Sequence, residues 1–306
     1  MVKKGFEALL GKGSPADEVI LLEPELFHPA KSPGRFWRAL KTLRHSLGRP
    51  FDVAVDLQGL LRSGLITLAS AAPFRIGFAN SREGSHFFYN YRVDIPDMNT
   101  HAVDRYLLFA EYLGIEHLDI AFPICIDPEA RKAVRRLLGE RVSGRPVVLL
   151  SIATTWQTKH WPVEKWIALS RNLIENVHAR IVLVGRREGE KVFDRFVALA
   201  DFPFLNLATK TSLAELVALI EEANLVISGD SAPTHIADAL GTPLVALMGP
   251  TDPQRTGPYT QTSHAIRGSV DCRPCGKKRC PDPRCITEIS DQEVLEMALG
   301  VLKEGR

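Results

Sequence analysis

An α/β fold of two Rossmann-like domains facing a cleft is what this sequence predicts, and three observations predict it. Short apolar runs alternate with helical patterns along the whole chain, the βαβα signature of parallel sheets covered by helices. A length of 306 residues leaves room for two domains, at roughly 150 residues each. The composition, 45% hydrophobic and 24% charged, is that of an ordinary globular chain. With 38 basic against 36 acidic residues it excludes disorder and offers no charge excess for a nucleic-acid binder, so no nucleic-acid partner is expected.

Taken in order, the first half is read as opening on a short helix at 3–10, followed by strands at 18–22, 52–56 and 75–78. A nucleotide-type domain normally starts on a buried strand. Opening on a helix therefore implies that this strand is absent or that the domain is built differently. A helix at 34–47 sets Phe36, Trp37, Leu40, Leu43 and Leu47 at helical spacing, with Arg35, Arg38, Lys41 and Arg44 alongside. Such a helix packs its apolar stripe on a core and solvates the rest; a basic, aromatic helix also suits an anionic membrane surface. The longest apolar stretch, 65–74, is far shorter than the roughly 20 residues that cross a bilayer, and the first residues open no signal-peptide core. A cytoplasmic protein is expected.

Around 125–145 the texture changes to a charged helix beginning at Pro128, then Ser143-Gly144-Arg145-Pro146, which reads as a connector. The predicted domains are therefore 1–140 and 141–306. The second half gives buried strands at 147–152, 181–184, 204–207, 225–228 and 244–248, and a closing amphipathic helix at 289–302.

Chemistry concentrates at strand ends of the second half. After 225–228 comes Gly229-Asp230-Ser231-Ala232-Pro233-Thr234-His235, a loop leading into a helix with proline in its first turn. Free N–H groups and the positive helix end make an anion site there; a plain cap by Asp230 or Ser231 is the alternative. After 147–152 comes Thr154-Thr155-Trp156-Gln157-Thr158-Lys159-His160, with hydroxyls and a lysine suited to a diphosphate. Both loops fall on one sheet edge. Gly249-Pro250-Thr251-Asp252-Pro253, after 244–248, would border the same crevice, and is by itself only a turn signal. Cys272, Cys275, Cys280 and Cys285 lie within 14 residues, interleaved with Lys277, Lys278 and Arg279. A structural zinc site, reduced free thiols and a local disulfide all fit that spacing; no partner His points to thiol catalysis.

The chain resembles the ADP-heptose lipopolysaccharide heptosyltransferases, inverting glycosyltransferases of the GT-B fold. In the first half the resemblance rests on Asp56-Leu57-Gln58-Gly59-Leu60-Leu61-Arg62-Ser63, Arg75-Ile76-Gly77-Phe78, Arg82-Glu83-Gly84, Phe88-Tyr89-Asn90 and His101-Ala102-Val103-Asp104-Arg105. In the second it rests on Thr154-Thr155, Lys159-His160-Trp161-Pro162, Asp230-Ser231-Ala232-Pro233-Thr234-His235 and Gly249-Pro250-Thr251-Asp252-Pro253. It implies donor binding by Thr154, Thr155, Lys159, Asn206, Asp230, Ser231, Ala232 and His235, with Asn206 where relatives often place an acid for the ribose. It implies acceptor binding, to Kdo-bearing lipid A or the growing inner core, by Arg62, Arg82, His101 and Arg105. ADP-heptose is the implied donor, and no cofactor is required when a lysine and backbone dipoles take the charge of the leaving group. The implied location is cytoplasmic, with peripheral contact at the inner face of the inner membrane.

The family's first strand, and the Leu-Gly-Asp or Met-Gly-Asp loop whose Asp is the catalytic base, have no counterpart in the match, which starts around Val2. About 40 residues of βαβ scale separate the two patterns, so no residue takes the base role by matching. Loss of a general base costs about 10²–10⁴ in rate, and a weakly active or inactive chain is expected. A nucleotide-sugar binder without catalysis and a transferase for another surface glycan are the alternative functions.

Overall fold

The computed structural model describes residues 1–10, 14–22, 32–48, 51–139 and 145–304. The chain forms two compact units, Met1–Glu7 with Asp17–Ile120, and Ala8–Ala16 with Ala121–Arg306. Both are α/β with parallel sheets, as the alternating pattern predicts.

The first unit begins with β1 (Val2–Lys3), which pairs in parallel with β2 (Leu21–Leu22). The opening is thus a strand rather than the expected helix at 3–10; only Glu7–Leu9 turn, as one 3₁₀ turn. Gly5, at a φ of +96°, explains the break, because a helix cannot run through that backbone conformation. Helix α1 (Pro33–Ser46) buries Phe36, Leu40 and Leu43 against Leu22 and Ile66, which leaves Trp37 and its basic neighbours outward. A three-stranded sheet follows from β3 (Val53–Asp56), β4 (Phe74–Phe78) and β5 (Tyr91–Val93), with α2 (Leu61–Ala69) and α3 (Ala102–Tyr112) in the same unit. The short β5 and the helices α2 and α3 are elements that the sequence reading did not assign.

Helix α4 (Pro128–Leu138) corrects the expected boundary. Its Ala130, Val134 and Leu138, at four-residue spacing, sit in a core of the second unit. Its charges are anchored too. Arg131 Nε donates to Glu221 at 2.8 Å and Arg135 Nε to Glu222 at 2.8 Å. The charged segment is therefore a layer of the second unit rather than a connector, and the division falls after Ile120 instead of at 140/141. Residues 140–144, including Ser143 and Gly144, lie outside the described residues.

The second unit continues through β6 (Val147–Ser151), α5 (Val163–Val177), β7 (Arg180–Leu183), α6 (Glu190–Leu199), β8 (Leu205–Asn206), α7 (Leu213–Glu222), β9 (Leu225–Gly229), α8 (Ala232–Leu240), β10 (Leu244–Met248), α9 (Pro253–Thr256), β11 (Ala265–Arg267), α10 (Arg284–Thr287) and α11 (Asp291–Glu304). The strand order is β11-β10-β9-β6-β7-β8, all parallel. Strand residues alternate between two cores: Val148 and Leu150 face α5 and α11 residues, while Val147 and Leu149 face α4 and α7 residues. Helices thus cover both faces, which is why these strands read as unbroken apolar runs.

The chain leaves β6 toward β7 on one side and returns to β9 on the other. The carboxyl ends of β6 and β9 are therefore the point where strand order reverses, the place where open α/β sheets bind ligands. No helix among the described residues is long and apolar enough to cross a membrane.

Candidate functional site

The loops after β6, β9 and β10 converge on one carboxylate. Lys159 Nζ lies 2.6 Å from Asp230 Oδ2 and 3.3 Å from the Asp230 carbonyl oxygen. The Thr251 hydroxyl donates to the same Oδ2 at 2.7 Å, and His235 Nε2 stands 3.6 Å from Oδ1. Asp230 is 8% exposed. Burial alone would raise its pKa; the His235 imidazole, the Lys159 ammonium and the Thr251 hydroxyl outweigh it and hold Asp230 at about 2.

Local sequence brings these groups together. Gly229 ends β9 and Gly249 follows β10, each where a side chain would crowd the neighbouring loop. A Cβ on Gly229 would meet the Lys159 carbonyl at 3.2 Å, and one on Gly249 the Thr158 carbonyl at 3.0 Å. The 154–159 loop thus packs directly over both strand ends. Its shape is set internally: the Thr154 hydroxyl donates to Trp156 O at 3.0 Å, and His160 Nε2 lies 2.8 Å from Thr154 O. The hydroxyl of Thr154 is thus engaged in its own turn, while Thr155 is exposed.

Helix α8 starts without the side-chain cap offered as an alternative reading. Ser231 makes no cap hydrogen bond; its hydroxyl pairs with Ser228 Oγ at 2.9 Å. Asp230 is turned to Lys159 and Thr251. The first turn of α8, opened by exposed Ala232 and carrying half-exposed His235, therefore presents a positive helix end beside a lysine. Lys159, Asp230, Ser231, Ala232 and His235 stand together at this sheet edge. Asn206 is not among them: it ends the edge strand β8, two strands from β6, with Oδ1 accepting from Ala208 N at 3.1 Å.

The 249–253 turn borders this edge as its position after β10 implies, but a role for the Thr251 side chain emerges only when the strand order places it beside Asp230. The Cys-rich segment was read in isolation, and it too belongs here. The Thr158 hydroxyl donates to Lys277 O at 2.7 Å, and Pro250 O accepts from Cys275 N at 3.0 Å and Gly276 N at 2.9 Å. Arg273 donates to Gly249 O and Thr251 O, each at 3.0 Å. Cys272, Cys275 and Cys280 are exposed free thiols, and Cys285 is buried. Burial, then the neighbouring Cys275 and Cys272, push the Cys285 thiol up. Among the described residues no three His, Cys, Asp or Glu side chains form a metal-binding group.

In the first unit the arginines and histidine proposed for the acceptor form two pairs. Arg62 follows the α2 N-terminus, and Arg82 is held beside that turn because its N–H donates to Gly59 O at 3.1 Å while Glu83 accepts from Leu61 N at 3.2 Å. His101 caps α3, its Nδ1 accepting from Val103 N at 3.2 Å, and Arg105 lies one turn on. The Arg105 Nε is buried without a hydrogen-bond partner among the described residues.

The sequence profile of glycosyltransferase family 9 (heptosyltransferase) matches residues 40–285. The chain is 30% identical over 236 residues to the lipopolysaccharide core heptosyltransferase OpsX of Haemophilus influenzae, an alignment covering 75% of this chain and 66% of that protein. In structure it is similar to a family 9 glycosyl transferase of Veillonella parvula, with a TM-score of 0.82 at 21% identity over 99% of this chain and 87% of that one. The E. coli heptosyltransferase WaaC, solved with ADP, gives 0.72 at 23% identity over 99% and 88%. At these identities the two structures bear on the fold.

Proposed function

This chain belongs to glycosyltransferase family 9, the heptosyltransferases, and from that premise we propose that it moves heptose from ADP-heptose to the lipopolysaccharide inner core with inversion. The observation that carries the reading is the Lys159–Asp230–Thr251 cluster beside the α8 N-terminus, at the point where strand order reverses. A nucleoside diphosphate is the ligand such a place suits: helix amides and an ammonium meet its anionic oxygens at the sheet edge. The relative WaaC has been solved with ADP, which agrees with that ligand class.

The reaction is a single in-line displacement. An acceptor hydroxyl oxygen bonds to the anomeric carbon while the bond to the diphosphate oxygen breaks and ADP leaves with the electron pair. Lys159 and the α8 amides stabilise charge where it grows. Asp230, ionised across the physiological range, fixes the Lys159 ammonium in place and orients Thr251. The acceptor proton passes to a general base, a role that no matched motif of this chain assigns.

On the acceptor side, Arg62, Arg82, His101 and Arg105 offer guanidinium and imidazole groups to phosphate and carboxylate groups of a Kdo-bearing lipid. Arg35, Trp37, Arg38, Lys41 and Arg44 on the outer face of α1 are all exposed, with no acid among residues 32–48. This supports peripheral contact with an anionic bilayer.

Calorimetry with ADP and turnover of ADP-heptose with Kdo-lipid A test the proposal. Wild type binds ADP and forms a heptosylated product; Lys159→Ala lowers ADP affinity and cuts turnover about 10²-fold or more, and Lys159→Arg recovers part of both. Absence of ADP binding by the wild type overturns the reading. ADP binding with no heptosyl transfer leaves a nucleotide-sugar binder, and transfer to a different glycan moves the acceptor.

A further inference from the structure

The donor cluster poses a charge problem. Lys159 is the cation that the sequence assigns to the diphosphate, yet its ammonium is engaged at 2.6 Å with an ionised, buried Asp230. The pair sums to zero. Arg273, the next cation, directs Nε and Nη2 to the carbonyls of Gly249 and Thr251 and braces the loop. An incoming diphosphate, carrying two or more negative charges, then meets the helix end and an ammonium already paired with a carboxylate.

The Cys-rich segment supplies a further cation. Lys278 Nζ lies 5.3 Å from the centre of the Trp156 indole, and Lys159 Nζ lies 4.3 Å from the centre of the same ring. One indole in the donor loop thus gathers both ammonium groups. Lys278 is exposed, and no carboxylate pairs with it among the described residues. Its backbone is not loose. The preceding carbonyl, Lys277 O, accepts from the buried Thr158 hydroxyl at 2.7 Å, and Cys275 and Gly276 are bonded to Pro250 O. The segment is thus fastened to the two loops flanking Asp230, and Lys278 is carried on that fastening.

We propose that Lys278 is a second donor-binding residue, whose ammonium leaves the Trp156 face to contact the diphosphate and adds a positive charge to the Lys159–Asp230 pair. The inference rests on the nucleoside-diphosphate reading above. It also gives the Cys-rich segment a function: it holds a phosphate-binding lysine over the loops after β6 and β10.

The test is ADP and adenosine titration of the full chain, wild type against Lys278→Ala, Lys278→Arg and Arg279→Ala, at several salt concentrations. Lys278→Ala should weaken ADP about tenfold, the effect of losing one charge-assisted contact, and flatten the salt dependence of ADP binding. Adenosine affinity should not move, Lys278→Arg should retain most ADP binding, and Arg279→Ala should stay within about twofold of wild type. Unchanged ADP affinity in Lys278→Ala overturns the proposal, as does an equal loss in Arg279→Ala, which would assign the effect to a general field. A wild type that fails to bind ADP would instead sink the underlying donor reading, so the two failures are distinguishable.

Discussion

In the second unit every residue of β6, β9 and β10 is buried, whereas in the first unit Val53 and Val55 of β3 are 43% and 42% exposed. The donor loops grow from strands clamped between two helical layers, so a strand end there cannot drift without disturbing both cores. The candidate acceptor groups stand on a shorter sheet with smaller clusters, and their positions are set mostly by hydrogen bonds: Asp56 to its own loop, Arg82 to Gly59, His101 to its helix. A donor that is the same in every turnover suits a site positioned by packing. On the proposed function, an acceptor site held by polar contacts tolerates adjustment to a bulky substrate.

The sharpest way to break this contrast is a matched pair of strand truncations. Ile227→Ala in β9, at a fully buried position, should lower stability by about 3 kcal/mol through lost transfer free energy and a cavity. Val55→Ala in β3 should cost about 0.5–1 kcal/mol, since nearly half of that side chain is already in water. Denaturant unfolding of both variants decides. Equal losses would mean that β3 is held as tightly as β9 and that exposure misreports the difference.

A second test sharpens the electrostatic side. The pKa of Asp230 is depressed to about 2 from an ordinary 3.8. A depressed carboxylate stabilises the fold above its unfolded pKa and loses that contribution as pH falls through the folded value. Of about 2 kcal/mol present at neutral pH, roughly half should be gone by pH 3. Unfolding of wild type and Asp230→Asn between pH 6 and pH 3 should show a gap that narrows by about 1 kcal/mol. A constant gap would remove the linkage, leaving Asp230 with a packing role.

The same asymmetry governed what could be read from sequence. The buried strands of the second unit announce themselves as apolar runs, and β10 is found at Leu244–Met248, as predicted. Asp230, Lys159 and His235 were legible because each follows a strand end. Thr251 and Lys278 were not, because their relevance is created by strand order and by a loop returning from over a hundred residues away in the chain. In the first unit the polar-faced strands β1 and β5 are two and three residues long, too short to show a period. Asp56 is the instructive omission: it was quoted within a motif and given no task, since its partner Tyr89 lies 33 residues on.

That pair supplies the most local test of the contrast. The Tyr89 hydroxyl donates to Asp56 Oδ2 at 2.6 Å, while Oδ1 accepts from Gln58 N at 2.9 Å and Gly59 N at 3.2 Å. Burial, reinforced by Asp56, pushes the Tyr89 phenol well above its ordinary value, so it remains a donor at any working pH. The ring is seated over Gly77, where a Cβ would come within 2.2 Å of it, and Phe can occupy that seat unchanged. Tyr89→Phe therefore removes the hydroxyl's bond to Asp56 and its interaction with Ser85 while keeping the ring. The carboxylate keeps two backbone donors, but both are on Oδ1 and buried Oδ2 loses its partner, so the loss should be about 2 kcal/mol, with the Gln58–Arg62 turn loosened. If the acceptor groups are positioned by such bonds, this variant should raise the KM for acceptor several-fold and leave ADP affinity unmoved. The same loss of stability with acceptor KM unchanged would instead make Asp56 and Tyr89 a buried core pair with no part in positioning the acceptor groups.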